Sequence, residues 1–92
     1  MATRRGGSPR LTIGDVSIPA QRKGVPENMP GTTWWEISAV AAGKLMAASF
    51  PGKHPPRPGY EIRLPDDMHR GHPGHWRLFN RGGKYELMFF YR

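Results

Sequence analysis

No cysteine occurs anywhere in these 92 residues. That absence removes disulfides and every cysteine-ligated metal site from the ways a short chain can be held together. A domain of this size buries roughly 60–65% of the surface its unfolded form exposes, so its core is thin. What remains is apolar packing, a partner, or self-association. The length fits one domain. A secreted disulfide scaffold is excluded, and a cytoplasmic setting, in a cell, in an infected host or in a virion, is the expectation. No stretch approaches the roughly 20 apolar residues that span a bilayer. The longest candidate, residues 38–50, is interrupted by Lys44. Arg4 and Arg5 are followed by Gly-Gly-Ser-Pro-Arg and not by an apolar run, so neither a secretory nor a twin-arginine leader is expected, and no membrane partner.

Proline and glycine divide the chain. Residues 1–31 hold four prolines and five glycines, and only Leu11-Thr12-Ile13-Gly14-Asp15-Val16-Ser17-Ile18 has strand composition. This region reads as an extended basic arm with one short strand, closed by Pro19. Residues 32–92 read as the compact domain. Thr32-Thr33-Trp34-Trp35-Glu36-Ile37 is a β-type run. Ser38 then offers an N-cap to an alanine-rich segment, and the spacing predicts a helix over 38–49 with Ile37, Ala41, Leu45 and Ala48 on one face. The competitor is a hairpin turning at Ala42-Gly43-Lys44, because glycine costs a helix interior about 1 kcal/mol. A proline-rich loop, residues 51–59, leads to the alternating strand Tyr60-Glu61-Ile62-Arg63-Leu64, closed by Pro65. Residues 66–74 read as a second loop.

The final unit carries the firmest local signal. Two alternating apolar runs, residues 75–80 and 85–91, flank Arg81-Gly82-Gly83-Lys84, and Gly-Gly between such runs marks a tight hairpin. Trp76 and Leu78 can share a buried face with Leu87, Phe89 and Tyr91. The fold class that follows is α+β, a small antiparallel sheet of four or five strands with one short helix and the arm. A small all-β barrel is the alternative.

The charge is uneven. The chain carries +7 overall, and its fourteen basic residues comprise ten arginines and four lysines. Residues 1–23 sum to +4, residues 24–50 to −1 and residues 51–92 to +4. Guanidinium is planar, permanently charged and able to grip phosphate or carboxylate with two hydrogen bonds. Flexible arginine arms follow phosphate backbones or enter minor grooves. Arg4, Arg5 and Arg10 on the arm, with Arg77, Arg81 and Lys84 in the hairpin, are the candidate nucleic-acid contacts. A solvated surface and the plain turn chemistry of Gly82-Gly83 account for the same residues without a ligand. Trp34 and Trp35 are adjacent, so on a strand they face opposite sides. Together with Phe90 they are candidates for a protein interface, against the simpler reading of a sheet buried on both faces.

His69, His72 and His75 recur every third residue after Asp66 and Asp67, and imidazole and carboxylate are suitable donors for zinc. The intervening Arg70-Gly71 and Pro73-Gly74 break any helix that would align them, and Arg70 would repel a cation. No metal or other cofactor is expected. The sequence contains no Gly-x-Ser-x-Gly elbow, no phosphate-binding glycine loop and no acid–base pair beyond Asp66-Asp67. These features point to a non-enzymatic basic module that contacts nucleic acid, a nucleoprotein or an acidic protein surface, within a large assembly in one version. The rival is a small phage or mobile-element protein that docks on another protein, as an inhibitor of a nucleic-acid-binding enzyme or as a minor virion component. A metal-dependent enzyme at His69, His72 and His75 is the third reading.

Overall fold

The computed structural model describes residues 9–24 and 33–92. In chain order the elements are β1 (Arg10–Ile13), β2 (Val16–Pro19), β3 (Gln21–Gly24), β4 (Trp34–Ile37), α1 (Ala39–Ser49), β5 (Glu61–His69), β6 (His72–Arg81) and β7 (Lys84–Tyr91). β1 and β2 form a separate two-stranded ribbon, and the other strands form one sheet in the order β3-β4-β7-β6-β5, antiparallel throughout. The architecture is α+β and the sheet is open, so the barrel alternative falls away.

The Gly-Gly hairpin forms in the expected register, with Leu78 opposite Leu87 and Trp76 opposite Phe89. Gly82 and Gly83 have φ of 60° and 96°, which a two-residue turn of this hand requires at both positions. Trp76, Leu78, Leu87 and Phe89 are buried, and Tyr91 lies at the exposed rim. Their face of the sheet is covered by α1 and by the β1–β2 ribbon. Leu11, Ile13, Ile18 and Ala20 from the ribbon region join Ala41, Ala42, Leu45 and Met46 from the helix in one core.

The helix begins where its cap predicts. Ser38 accepts a hydrogen bond from the Ala41 amide at 3.1 Å, and the helix ends at Phe50, ahead of Pro51-Gly52. Gly43 is carried inside it. One assignment to its buried face changes: Ala48 is exposed, and Ala42 and Met46 take the inward positions beside Ala41 and Leu45.

Three other expectations change. The stretch read as one strand over residues 11–18 is a hairpin, because Gly14 adopts φ of 59° and reverses the chain. The extended flank after Pro19 contributes β3, which pairs with β4. The boundary expected between residues 31 and 32 lies outside the described residues. The largest change is at residues 66–74, read as a loop. β5 runs through Pro65 to His69 with a register irregularity between Arg63 and Asp66, and β6 begins at His72. β5 is an edge strand, where proline is tolerated because one row of backbone groups faces away from the ladder. The reversal needs only Arg70 and Gly71, with φ of 54° and 80°.

Gly74 in this hairpin is selected by packing and not by turn geometry. A Cβ there would strike the Phe90 carbonyl and approach the Phe89 ring to 2.7 Å. Gly74→Ala should therefore lower stability by about 1–3 kcal/mol or more, as overpacking of a well-filled core does. A urea titration checks this; a midpoint equal to that of the parent would contradict it.

Candidate nucleic-acid interface

The sheet has two unlike faces. α1 and the β1–β2 ribbon lie on one. The other carries Trp34 and Glu36 from β4, Glu86, Met88 and Phe90 from β7, His75, Arg77 and Phe79 from β6, and Glu61 and Arg63 from β5. None of these is fully buried. The register places them in rows across the strands. Trp34, Met88, Arg77 and Arg63 form one row, and Glu36, Glu86, Phe79 and Glu61 form the next. A cationic row thus abuts an acidic one.

Much of the mid-sheet charge is internally compensated. Arg77 bonds Glu61 at 3.0 Å and donates through Nε to His75 Nε2 at 3.1 Å, while its guanidinium lies 4.7 Å from the centre of the Phe90 ring. His75 stacks on the same Phe90 ring at 5.4 Å. Arg63 and Arg92 share Asp66, at 3.1 and 2.8 Å. Lys23 meets Glu36 at 3.3 Å. Such half-exposed pairs add little stability each, but they hold guanidinium groups that would otherwise be available to a partner.

The six expected nucleic-acid contacts are therefore not one patch. Arg4 and Arg5 lie outside the described residues. Arg10 is fastened to Ser17 through its Nε and Nη2, both at 2.9 Å, and lines a cleft with His69 and Arg70. Arg77 is held in mid-sheet. Arg81 and Lys84 face each other across the hairpin turn, at the far end of β6 from Arg70. Ten strand residues separate the two ends of β6, roughly 30 Å at 3.3 Å per residue. Of the protein-interface candidates, Trp34 and Phe90 share the face opposite the helix, and Trp35 points to the other side against the ribbon. All three are half-buried.

Sequence reasoning missed the residues that the fold adds to the Arg81-Lys84 end. Asn80 is buried, donates to the Pro56 carbonyl at 2.9 Å and accepts from the Gly83 amide at 2.8 Å. Its own carbonyl accepts from Gly59 at 2.8 Å, and its amide donates to Tyr60 at 3.0 Å. One asparagine thus binds the 51–60 loop to the hairpin turn. Arg57 and exposed Tyr60 are carried to the turn, with His54 beside them in a cleft of about 660 Å³ that also involves Pro55, Pro56 and Ile62. Lys53, next to His54 in the chain, instead lies 5.8 Å from the centre of the Phe50 ring. Among the described residues, Lys53, Arg57 and Lys84 have no carboxylate partner, and Arg81 remains 69% exposed although its Nε donates to Glu86 at 2.9 Å. Arg10, Arg22, Lys44 and Arg70 are also without one; Arg22 and Lys44 lie singly on β3 and α1, while Arg10 and Arg70 line one cleft at the opposite turn, together with Asp67. A lone buried polar residue at a strand end was the available signal; its long-range partner was not.

The histidines divide between the faces. His69 packs edge-on to Trp76 at 4.9 Å and His72 edge-on to Tyr91 at 5.5 Å, both on the covered side, while His75 is on the other. Among the described residues no three histidines or carboxylates converge as a metal site. Burial, reinforced by the Arg63 and Arg77 charges, holds the His75 imidazole below its ordinary pKa. Burial and then the Arg70 charge do the same for His69. The Arg63 hydrogen bond, with the Arg92 and His75 charges, keeps Asp66 below the usual carboxylate range.

Comparison with protein-family models, characterised proteins and solved structures found no match. Among the described residues no helix is long and apolar enough to cross a membrane.

Two outcomes follow. Asn80→Ala leaves the Pro56 carbonyl and the Gly83 amide without their partner, which should cost about 1–3 kcal/mol in urea unfolding and speed amide exchange at Gly83. An unchanged midpoint with unchanged exchange would show that the asparagine does not hold the loop. His69 and His75 bind protons less readily folded than unfolded. Stability should therefore be complete well above the usual histidine value of 6.5 and decline as pH falls through it. Urea midpoints at about pH 7.5 and about pH 5 check the sign, and NMR titration should give both imidazoles midpoints below 6.5. Stability that rises on acidification over this interval would contradict it.

Proposed function

We propose that this protein is a non-enzymatic module that binds nucleic acid through the end of the molecule formed by the β6–β7 turn and the 51–60 loop. The observation that supports this reading most is the gathering there of Arg57 and Lys84, neither with a carboxylate partner among the described residues, together with Arg81, whose side chain is 69% exposed although its Nε donates to Glu86. Cations that no carboxylate engages are the ones available to neutralise phosphates and release their counterions. Two glycines at the turn let backbone approach a polyanion closely. Arg77, an initial candidate, serves instead to brace the sheet through Glu61, His75 and Phe90. Arg4 and Arg5 remain candidates for additional phosphate contacts.

Charge reversal at this end and elsewhere separates a local site from general attraction. The double variant Arg57→Glu with Lys84→Glu should weaken binding to a labelled oligonucleotide at low salt by about tenfold or more. It should also flatten the salt dependence by roughly 1.4–1.8 in the logarithmic slope, the share of two phosphate contacts. Arg22→Glu with Lys44→Glu changes net charge equally and should have a much smaller effect. Fluorescence anisotropy during a salt titration measures both. Equal losses from the two double variants, or co-purification with a stoichiometric protein and no binding to DNA or RNA at low salt, would overturn the proposal.

A further inference from the structure

Tyr60 is 67% exposed, a costly setting for an aromatic ring that could fold inward. Its backbone is nonetheless fixed on both sides: its amide donates to the Arg57 carbonyl at 2.9 Å, and its carbonyl accepts from the Asn80 amide at 3.0 Å. The ring is thus presented on a rigid support. It borders two clefts. One, of about 660 Å³, is lined by His54, Pro55, Pro56, Arg57, Glu61 and Ile62. The other, of about 240 Å³, holds Gly59, Phe79, Arg81 and Gly82. An arginine therefore lines each of the two clefts that the tyrosine borders: Arg57 the larger, and Arg81, 69% exposed with its Nε donating to Glu86 at 2.9 Å, the smaller. The larger cleft combines a flat π surface, proline walls and one guanidinium, and its carboxylate, Glu61, is already bound to Arg77.

From this arrangement we infer that the end of the molecule takes single-stranded nucleic acid, with one unpaired base stacked on Tyr60 and its flanking phosphates on Arg57 and Arg81. The inference rests on the nucleic-acid reading above and narrows it. Stacking on an exposed aromatic ring requires a base with a free face, which a duplex supplies only at its ends. A purely electrostatic site has no need of a rigidly held, exposed tyrosine, and duplex DNA, with its greater charge density, would then bind at least as well. DNA and RNA single strands share the chemistry that the cleft recognises, and the test distinguishes them.

The test compares labelled oligothymidylate, oligouridylate and a duplex of equal length by fluorescence anisotropy at low salt, using the full chain. The single strands should bind about tenfold or more tightly than the duplex. Tyr60→Ala should lose about tenfold on single strands and little on duplex, and Tyr60→Phe should retain binding, since stacking uses the ring and not the hydroxyl. Thermal unfolding of Tyr60→Ala should match the parent, because the ring contributes little to the core. Preference for oligouridylate over oligothymidylate would assign the ligand to RNA, and the reverse to DNA, either outcome supporting the site. Duplex binding that equals or exceeds single-strand binding, or Tyr60→Ala without loss, would overturn the inference while leaving the broader proposal intact. No binding to any of the three would overturn both.

Discussion

The inward face of the β6–β7 hairpin is the constraint on which the other elements depend. Trp76, Leu78, Leu87 and Phe89 are each 0–1% exposed, and with no disulfide the chain's ordering entropy is opposed by apolar burial centred on them and shared with the rest of the core. The indole Nε1 of Trp76 finds no acceptor among the described residues, a cost of about 1–3 kcal/mol that the surrounding packing must exceed. α1 and the β1–β2 ribbon are placed where they cover this face. The helix supplies small side chains, Ala41 and Ala42, so that Leu45 and Met46 can reach the sheet closely. Gly74 answers the same demand from within the sheet, where the Phe89 ring leaves no room for a methyl group.

Concentrating apolar burial on one side leaves the other to polar chemistry. There the ladder sets arginines beside glutamates, and Arg77 is surrounded by Glu61, His75 and Phe90. A basic chain can in this way spend part of its charge on its own architecture. The cations left over determine where an anionic ligand has an advantage, and two of the seven without a carboxylate partner among the described residues, Arg57 and Lys84, lie with exposed Arg81 around the end fastened by Asn80. Composition alone cannot locate that end, because net charge says nothing about which guanidiniums are already occupied.

How much could be read from the sequence depended on the range of the interactions involved. The β6–β7 hairpin and the helix are specified by neighbours: alternation around Gly82-Gly83, and Ser38 ahead of an alanine run. Both were legible. Residues 66–74 were not, because Pro65, Gly71 and Gly74 resemble loop composition while serving at an edge irregularity, in a two-residue turn and at a close contact that admits no side chain. Gly14 in the ribbon misled in the opposite sense, as a glycine inside a strand pattern that in fact reverses the chain. The candidate site was half legible. Arg81 and Lys84 flank a recognisable turn, but Arg57 and Tyr60 reach it because Pro56, Gly59 and Tyr60 bond Asn80, twenty or more residues away, and no local pattern encodes those partners.

The Asn80 tether has a thermodynamic consequence. The residue that fastens the proline-rich loop lies on β6 only two positions beyond the buried Leu78. Order in the loop and order in the core are thus linked rather than independent. Any molecule that prefers the fastened loop must also favour the folded chain, raising its melting temperature in proportion to the logarithm of ligand concentration. Occupancy at this extremity would in that way be reported by the heat resistance of the entire fold.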